Sequence, residues 1–389
     1  MKIIILLILM TAMGSVPLYS LYYDFTLEDL PMMVLATDVS NNSFYSFYNL
    51  ANAGVKIYAE DQAYLKFRLK DAYFDLYHTN SLYVDRLSLT YSSADVSLLA
   101  GRDYYFEGDG ILIGNLADGF KASLNFLGMS ERFYLYYSGF LPVEINQFDM
   151  TASDLLLTNG PNRLFGGLIL EKDGLGVESI GATVLYSQDM SSNNSYDPLY
   201  VGLNAKTSIT ANLVSSCNIL GEFGNLSPTN SIQAFGGDIG FYYLAGSDVK
   251  YGFILKFSAA TGNNNTNTNS GQTYGQFNTF GQYDTGVVLT PMFANLVMAQ
   301  AGAVLKAFKD HMTINANYYF LSRMTTNDSV NGFYDGSGYS IGDEISGRIL
   351  YDIDPDFTIF IMGGYFIKGN AFSNEIPKYV LIGGVSIRI

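Results

Sequence analysis

Apolar residues recur at every second position along most of this chain. No segment beyond the N-terminal run approaches the ~20 consecutive apolar residues that a membrane-crossing helix needs. Between Phe120 and Phe126, the residues Phe120, Ala122, Leu124 and Phe126 share one face, and Lys121, Ser123 and Asn125 the other. Val249, Tyr251, Phe253, Leu255 and Phe257 alternate with Lys250, Gly252, Ile254, Lys256 and Ser258. Ile314, Ala316, Tyr318 and Phe320 alternate with Thr313, Asn315, Asn317 and Tyr319. Successive strand side chains point to opposite faces, so these segments are two-faced strands.

Hydrophobic residues make up 48% of the chain and charged residues 15%, below the ~25% usual for soluble domains. So much apolar surface without a long apolar run calls for a fold with an apolar outside. A closed barrel immerses one face of every strand in hydrocarbon and wets the other. Soluble β-sandwiches alternate too, but their strands average ~5–6 residues. Most segments here run to nine or more, the length of a tilted membrane strand.

The expected fold is therefore all-β: a single transmembrane antiparallel up-and-down β-barrel of about eighteen strands, with sixteen as the neighbouring even closure. The strands fall near 30–38, 44–59, 62–76, 82–91, 96–104, 119–128, 131–140, 162–171, 177–187, 199–207, 213–224, 231–244, 249–260, 295–308, 312–323, 340–351, 357–368 and 379–389, with Pro31 at the start of the first. Short turns mostly alternate with the longer loops 105–118, 141–161, 188–198, 261–294 and 324–339, as outer-membrane barrels require. The run Asn263 to Asn269 makes loop 261–294 an expected mobile surface loop, or one that folds into the lumen as a constriction. In the last strand Val385, Ile387 and Ile389 oppose Ser386 and Arg388.

Lys2, the apolar run Ile3 to Met10, and the small residues Ala12, Gly14, Ser15 and Ser20 have the layout of a secretory signal peptide. Cleavage after Ser20 or Gly14 fits, with an uncleaved anchor as the alternative. The expected division is 1–20 signal peptide and 21–389 barrel, with Sec-type export to the outer membrane. Expected partners are outer-membrane lipid, the barrel-assembly machinery, and small hydrophilic or anionic solutes. The formal net charge of -15 argues against nucleic acid.

Cys217 is the single cysteine, so no internal disulfide forms. His78 and His311 both fall at expected turns, away from any nucleophile–base arrangement or metal-ligand spacing. No cofactor and no enzymatic activity are expected. Gly108-Asp109-Gly110 is turn chemistry, because no strand-to-helix context follows.

Lys66, Arg68 and Lys70 alternate with Leu65, Phe67 and Leu69, which lines three cations along the inner face of one strand. Arg86, Arg102, Lys121 and Arg132 lie on neighbouring strands or at their ends, and Glu344 and Arg348 complete the expected pore lining. Cations along a narrow channel attract anions and replace part of their hydration. Pairing with lumenal acids such as Asp75, Asp85 and Glu344 would instead stiffen the wall. The aromatic residues Tyr104, Tyr105, Phe106, Tyr136, Tyr137, Tyr242, Tyr243, Tyr318, Tyr319 and Phe320 suit interfacial girdles.

Two stretches resemble the alginate-export family of outer-membrane barrels. Gly101-Arg102-Asp103 followed by Asp118-Gly119-Phe120 is similar to the family's Gly-Arg-Gln … Asp-Gly pattern, with Asp103 in place of Gln. Ile341-Gly342-Asp343-Glu344-Ile345, Leu350-Tyr351 and Gly364 to Phe372 are similar to its closing pattern, with Ser346 in place of Asp. The resemblance implies an eighteen-stranded barrel with an Arg- and Lys-rich lumen that passes acidic or neutral polymers and small solutes.

Two functions follow as expectations: a porin- or exporter-like channel for hydrophilic solutes, anionic ones or polysaccharide included, and a surface adhesin or antigen that uses the barrel to anchor its loops. A barrel enzyme is the third and lacks a catalytic constellation.

Overall fold

The computed structural model describes residues 21–37, 43–59, 62–74, 79–107, 111–138, 140, 162–174, 178–190, 196–227, 229–263, 272–281, 283–327, 338–374 and 376–388. Residues 1–20, Asp75, His78, Asp109 and the loop 141–161 lie outside the described residues.

The alternating segments pair with their sequence neighbours. The strands are β1 (Leu21–Thr37), β2 (Ser43–Ala59), β3 (Ala63–Phe74), β4 (Thr79–Ser92), β5 (Val96–Glu107), β6 (Ile113–Phe126), β7 (Met129–Tyr137), β8 (Arg163–Asp173), β9 (Ser179–Asp189), β10 (Asp197–Thr210), β11 (Leu213–Ser227), β12 (Asn230–Ala245), β13 (Lys250–Ala260), β14 (Thr273–Tyr274), β15 (Leu296–Ala307), β16 (Met312–Ser322), β17 (Ser340–Asp354), β18 (Phe357–Lys368) and β19 (Tyr379–Arg388). All but β14 form a closed antiparallel ring of eighteen, because β1 pairs with both β2 and β19. Closure leaves no sheet edge to carry unpaired backbone groups in hydrocarbon. The two-residue β14 runs parallel to β12. Among the described residues there is no helix long and apolar enough to cross a membrane.

Period two sets the faces. On β13, Tyr251, Phe253, Leu255 and Phe257 are exposed on the outer face, while Gly252, Ser258 and Ala260 are buried on the inner one. The hairpin between β6 and β7 turns on Leu127 and Gly128 at φ 51° and 72°, the left-handed pair that matches strand twist in a two-residue turn. Asp29 and Asp71 break the outer pattern: each pairs with Ala51 across the ladder, in the row of the exposed Ile387 and Leu82.

Three expectations are corrected. The first strand begins at Leu21, and Pro31 lies inside it. Pro31 pairs with Asn49 of β2 but has no partner on β19, which is where a residue lacking N–H fits. Loop 261–294 is not a mobile surface loop over its described part: Phe277, Phe280 and Phe293 are buried inside the barrel. The Asn-rich run hides the apolar content that follows it, and residues 264–271 lie outside the described set. Finally, Tyr105, Tyr136 and Tyr319 are interior and at most 3% exposed, so they belong to no girdle.

Candidate functional site: a cationic wall facing a latched loop

The ladder register brings the cations of β2 to β4 together. Lys56 pairs with Lys66, Gly54 with Arg68, and Asn52 with Lys70. On the next strand Lys66 meets Ser88, Arg68 meets Arg86, and Lys70 meets Tyr83. The register then slips, with Leu69 opposite Val84, so Asp85 is the extra residue of a bulge. A bulge places two successive residues on one side. Asp85 and Arg86 therefore both turn inward, between the outward residues Val84 and Leu87. Arg68 is ion-paired to Asp85, and Arg86 Nε lies 2.8 Å from Asp103 Oδ1. Lys56 Nζ stands 3.8 Å from the Tyr64 ring centroid and 4.5 Å from that of Tyr58, and Lys70 Nζ stands 5.7 Å from that of Tyr83. Lys66 sits among these groups and makes no ion pair among the described residues.

Arg102 has a different place. β4 pairs with β5 only as far as Leu87–Arg102, and β6 pairs with β7 only as far as Asp118–Tyr137. Beyond those pairs the β5–β6 tip leans inward. Ile113 bridges to Phe280, Tyr105 stacks on Tyr136 at 4.8 Å, and the Tyr104 ring lies 5.7 Å from the Arg86 guanidinium. Arg102 seals the point of departure. It is 2% exposed, donates to both Asp118 oxygens at 3.0 Å and reaches the Val84 carbonyl at 3.2 Å. The two halves of the Gly-Arg … Asp-Gly pattern thus meet across one ladder, with Gly101 opposite Gly119. A Cβ on Gly119 would stand 2.3 Å from Leu135 O.

The other expected residues are spread around the ring. Lys121 Nζ lies 5.2 Å from the Tyr134 ring centroid. Arg132 pairs with Glu171 at 3.0 Å. Arg348 is exposed on the inner face of β17 and makes no ion pair among the described residues. Glu344 is fully buried and faces no water. Its carboxylate accepts the backbone N–H groups of Val287, Val288 and Leu289 at 2.5, 3.1 and 3.4 Å. Successive amides around one anion form a nest. Gly286, at φ 125°, is required there because a Cβ would stand 2.7 Å from Glu344 Oε2.

Three further contacts pin the loop. The Tyr319 hydroxyl donates to Asp284 at 3.2 Å. Glu222 accepts the Asn278 N–H at 2.8 Å and the Tyr196 hydroxyl. Asp238 accepts the Tyr283 hydroxyl at 2.6 Å and pairs with Lys256 at 3.0 Å. Burial, and then the Asp238 charge, push the Tyr283 phenol above its ordinary range. Arg163, 0% exposed, donates to Tyr196 O at 2.9 Å and lies 5.8 Å from the Phe280 ring.

Lys56, Arg163, Glu222, Asp238 and Lys256 were missed in the sequence. Lys56 was findable, since Val55-Lys56-Ile57 continues the alternation of its strand. Among the described residues no His/Cys/Asp/Glu group has metal-binding geometry.

The alginate export family model matches residues 160–381. No curated protein matches the sequence. Solved structures share the fold. Pseudomonas aeruginosa OccK2 (OpdF), in complex with glucuronate, is 10% identical with a TM-score of 0.65, covering 94% of this chain and 96% of that one. Pseudomonas aeruginosa OccK5 (OpdH) is 12% identical with a TM-score of 0.62, covering 94% and 98%. Pseudomonas aeruginosa OpdK with vanillate is 11% identical with a TM-score of 0.62, again covering 94% and 98%.

Proposed function

The chain belongs to the alginate export family, and from that premise we propose that it is a passive outer-membrane channel preferring anionic hydrophilic solutes. The observation that carries this is the crowding of Lys56, Lys66, Arg68, Lys70 and Arg86 on one inner wall, across from a loop folded into the lumen. Asp85 and Asp103 hold the two arginines, so the wall is organised rather than neutralised, and Lys66 makes no ion pair among the described residues. A solute anion passing that wall exchanges water for ammonium and guanidinium groups. Glucuronate and vanillate, seen with two barrels of this fold, are both carboxylates. Residues 1–20 act in this reading as the export signal, and residues 21–389 as the barrel.

The test is the reversal potential of the purified channel in a planar bilayer under a potassium chloride gradient. Anion preference is expected in the wild type and is reduced in the Lys56→Gln, Lys66→Gln, Lys70→Gln triple variant. Cation preference in the wild type, or the same reversal potential in both proteins, would remove the proposal.

A further inference from the structure

A second recognition site lies away from the cationic wall. A cavity of about 250 Å³ opens between the inner face of β7–β11 and the inward-leaning β5–β6 tip. Glycines make the space. Gly181 stands opposite Asn204, where a Cβ would meet Asn204 Oδ1 at 2.4 Å, and a Cβ on Gly202 would meet Leu220 Cδ2 at 2.4 Å. Phe106 and Leu112 of the tip close one side.

The lining is mixed in a particular way. Thr183 is 8% exposed and Asn204 half-buried, and neither side chain has a hydrogen-bond partner among the described residues. Both line the cavity. Beside them lie the Arg132–Glu171 pair, 3.0 Å apart, and Asn218, whose Nδ2 donates to Asp238 at 2.8 Å. Each charge here has a counter-charge: Glu171 for Arg132, Lys256 for Asp238. A carboxylate entering the cavity would gain no net attraction. A hydroxyl both donates and accepts, which suits an amide, a threonine hydroxyl and an ion pair together. The half-exposed Phe106 ring and Leu220 offer apolar surface for the C–H face of a ring.

We propose that this cavity is a side pocket for one neutral, hydroxyl-rich ring, a hexose or one unit of a neutral oligosaccharide. It rests on the channel reading only in that solute must reach the lumen. A channel with both features would pass anions along one wall and delay neutral sugars at the other.

The experiment titrates D-glucose against the full-length barrel in detergent by saturation-transfer NMR, and measures glucose-induced current block in planar bilayers. Asn204→Leu and Thr183→Val are compared with the wild type, with folding checked by heat-modifiable gel migration. Millimolar glucose binding is expected in the wild type, weakened about tenfold in each variant, the value of one lost hydrogen bond. Reversal potentials are expected to stay the same in all three proteins. Absence of glucose binding by the folded wild type would overturn the pocket, as would equal binding by the folded variants. Loss of anion preference with glucose binding intact would count against the channel's charge selectivity and leave the pocket standing.

Discussion

Glu344→Ala isolates the latch that holds the lumenal loop. The carboxylate accepts N–H groups at 2.5 and 3.1 Å, and a third at 3.4 Å whose length makes it weak. Hydrogen bonds to a charged group contribute ~1.5–3 kcal/mol each, so the two short ones amount to about 3–6 kcal/mol. The remaining hold on the segment around Val287 is Asp284 on Tyr319 and the packing of the partly buried Val288 and Leu289 against the core. The earlier part stays docked, because burying an aromatic such as Phe277 or Phe280 contributes ~1.5–3 kcal/mol and Glu222 still holds Asn278. The variant is therefore expected to loosen residues 285–290, between the anchors at Tyr283–Asp284 and Phe293, without unfolding the barrel. Single-channel recordings should show larger conductance with added flicker, and chymotrypsin should gain access at Leu289. Glu344→Gln, which retains one acceptor oxygen, should fall between. If the folded alanine variant shows wild-type conductance, noise and cleavage, the latch does not hold the loop and the reasoning fails.

Other substitutions probe separate parts of the wall. Asp118→Asn leaves the buried Arg102 guanidinium without its carboxylate, a loss of ~3–5 kcal/mol expected as a lower heat-modification midpoint. Gly286→Val forces a side chain against the Glu344 carboxylate and should reproduce the flicker of the alanine variant, read by the same recordings. Asp71→Val removes an outward acid that has a buried oxygen without a partner among the described residues, and should raise the unfolding free energy read from urea titration in vesicles by about 1 kcal/mol.

Strand order, inner and outer faces, and the cationic run of β3 were all legible, because period two depends only on sequence neighbours. Even the two sides of β16 follow, with Tyr318 outward and Tyr319 inward; naming both as girdle residues ignored that pattern. Pro31 misled because a missing N–H marks a strand end only where both sides of the strand are paired at that residue.

The site divides along another line. A face is a local property, whereas a partner is not. Glu344 was correctly placed on the inner face, yet its partners lie 55 to 57 residues away in a loop that reads as polar filler. Arg102 was likewise taken for a pore residue because its ion pair with Asp118 forms only where the hairpin leaves the wall. The bulge at Asp85 is the intermediate case. Strict alternation would send one of Asp85 and Arg86 into hydrocarbon, at a cost that is largest for Arg near the bilayer midplane. Here the chain takes a slip in register, unlike the unbroken ladders at Glu28–Asp29 and Lys70–Asp71, and Arg86 stands beside Arg68 with Asp85 turned inward between them.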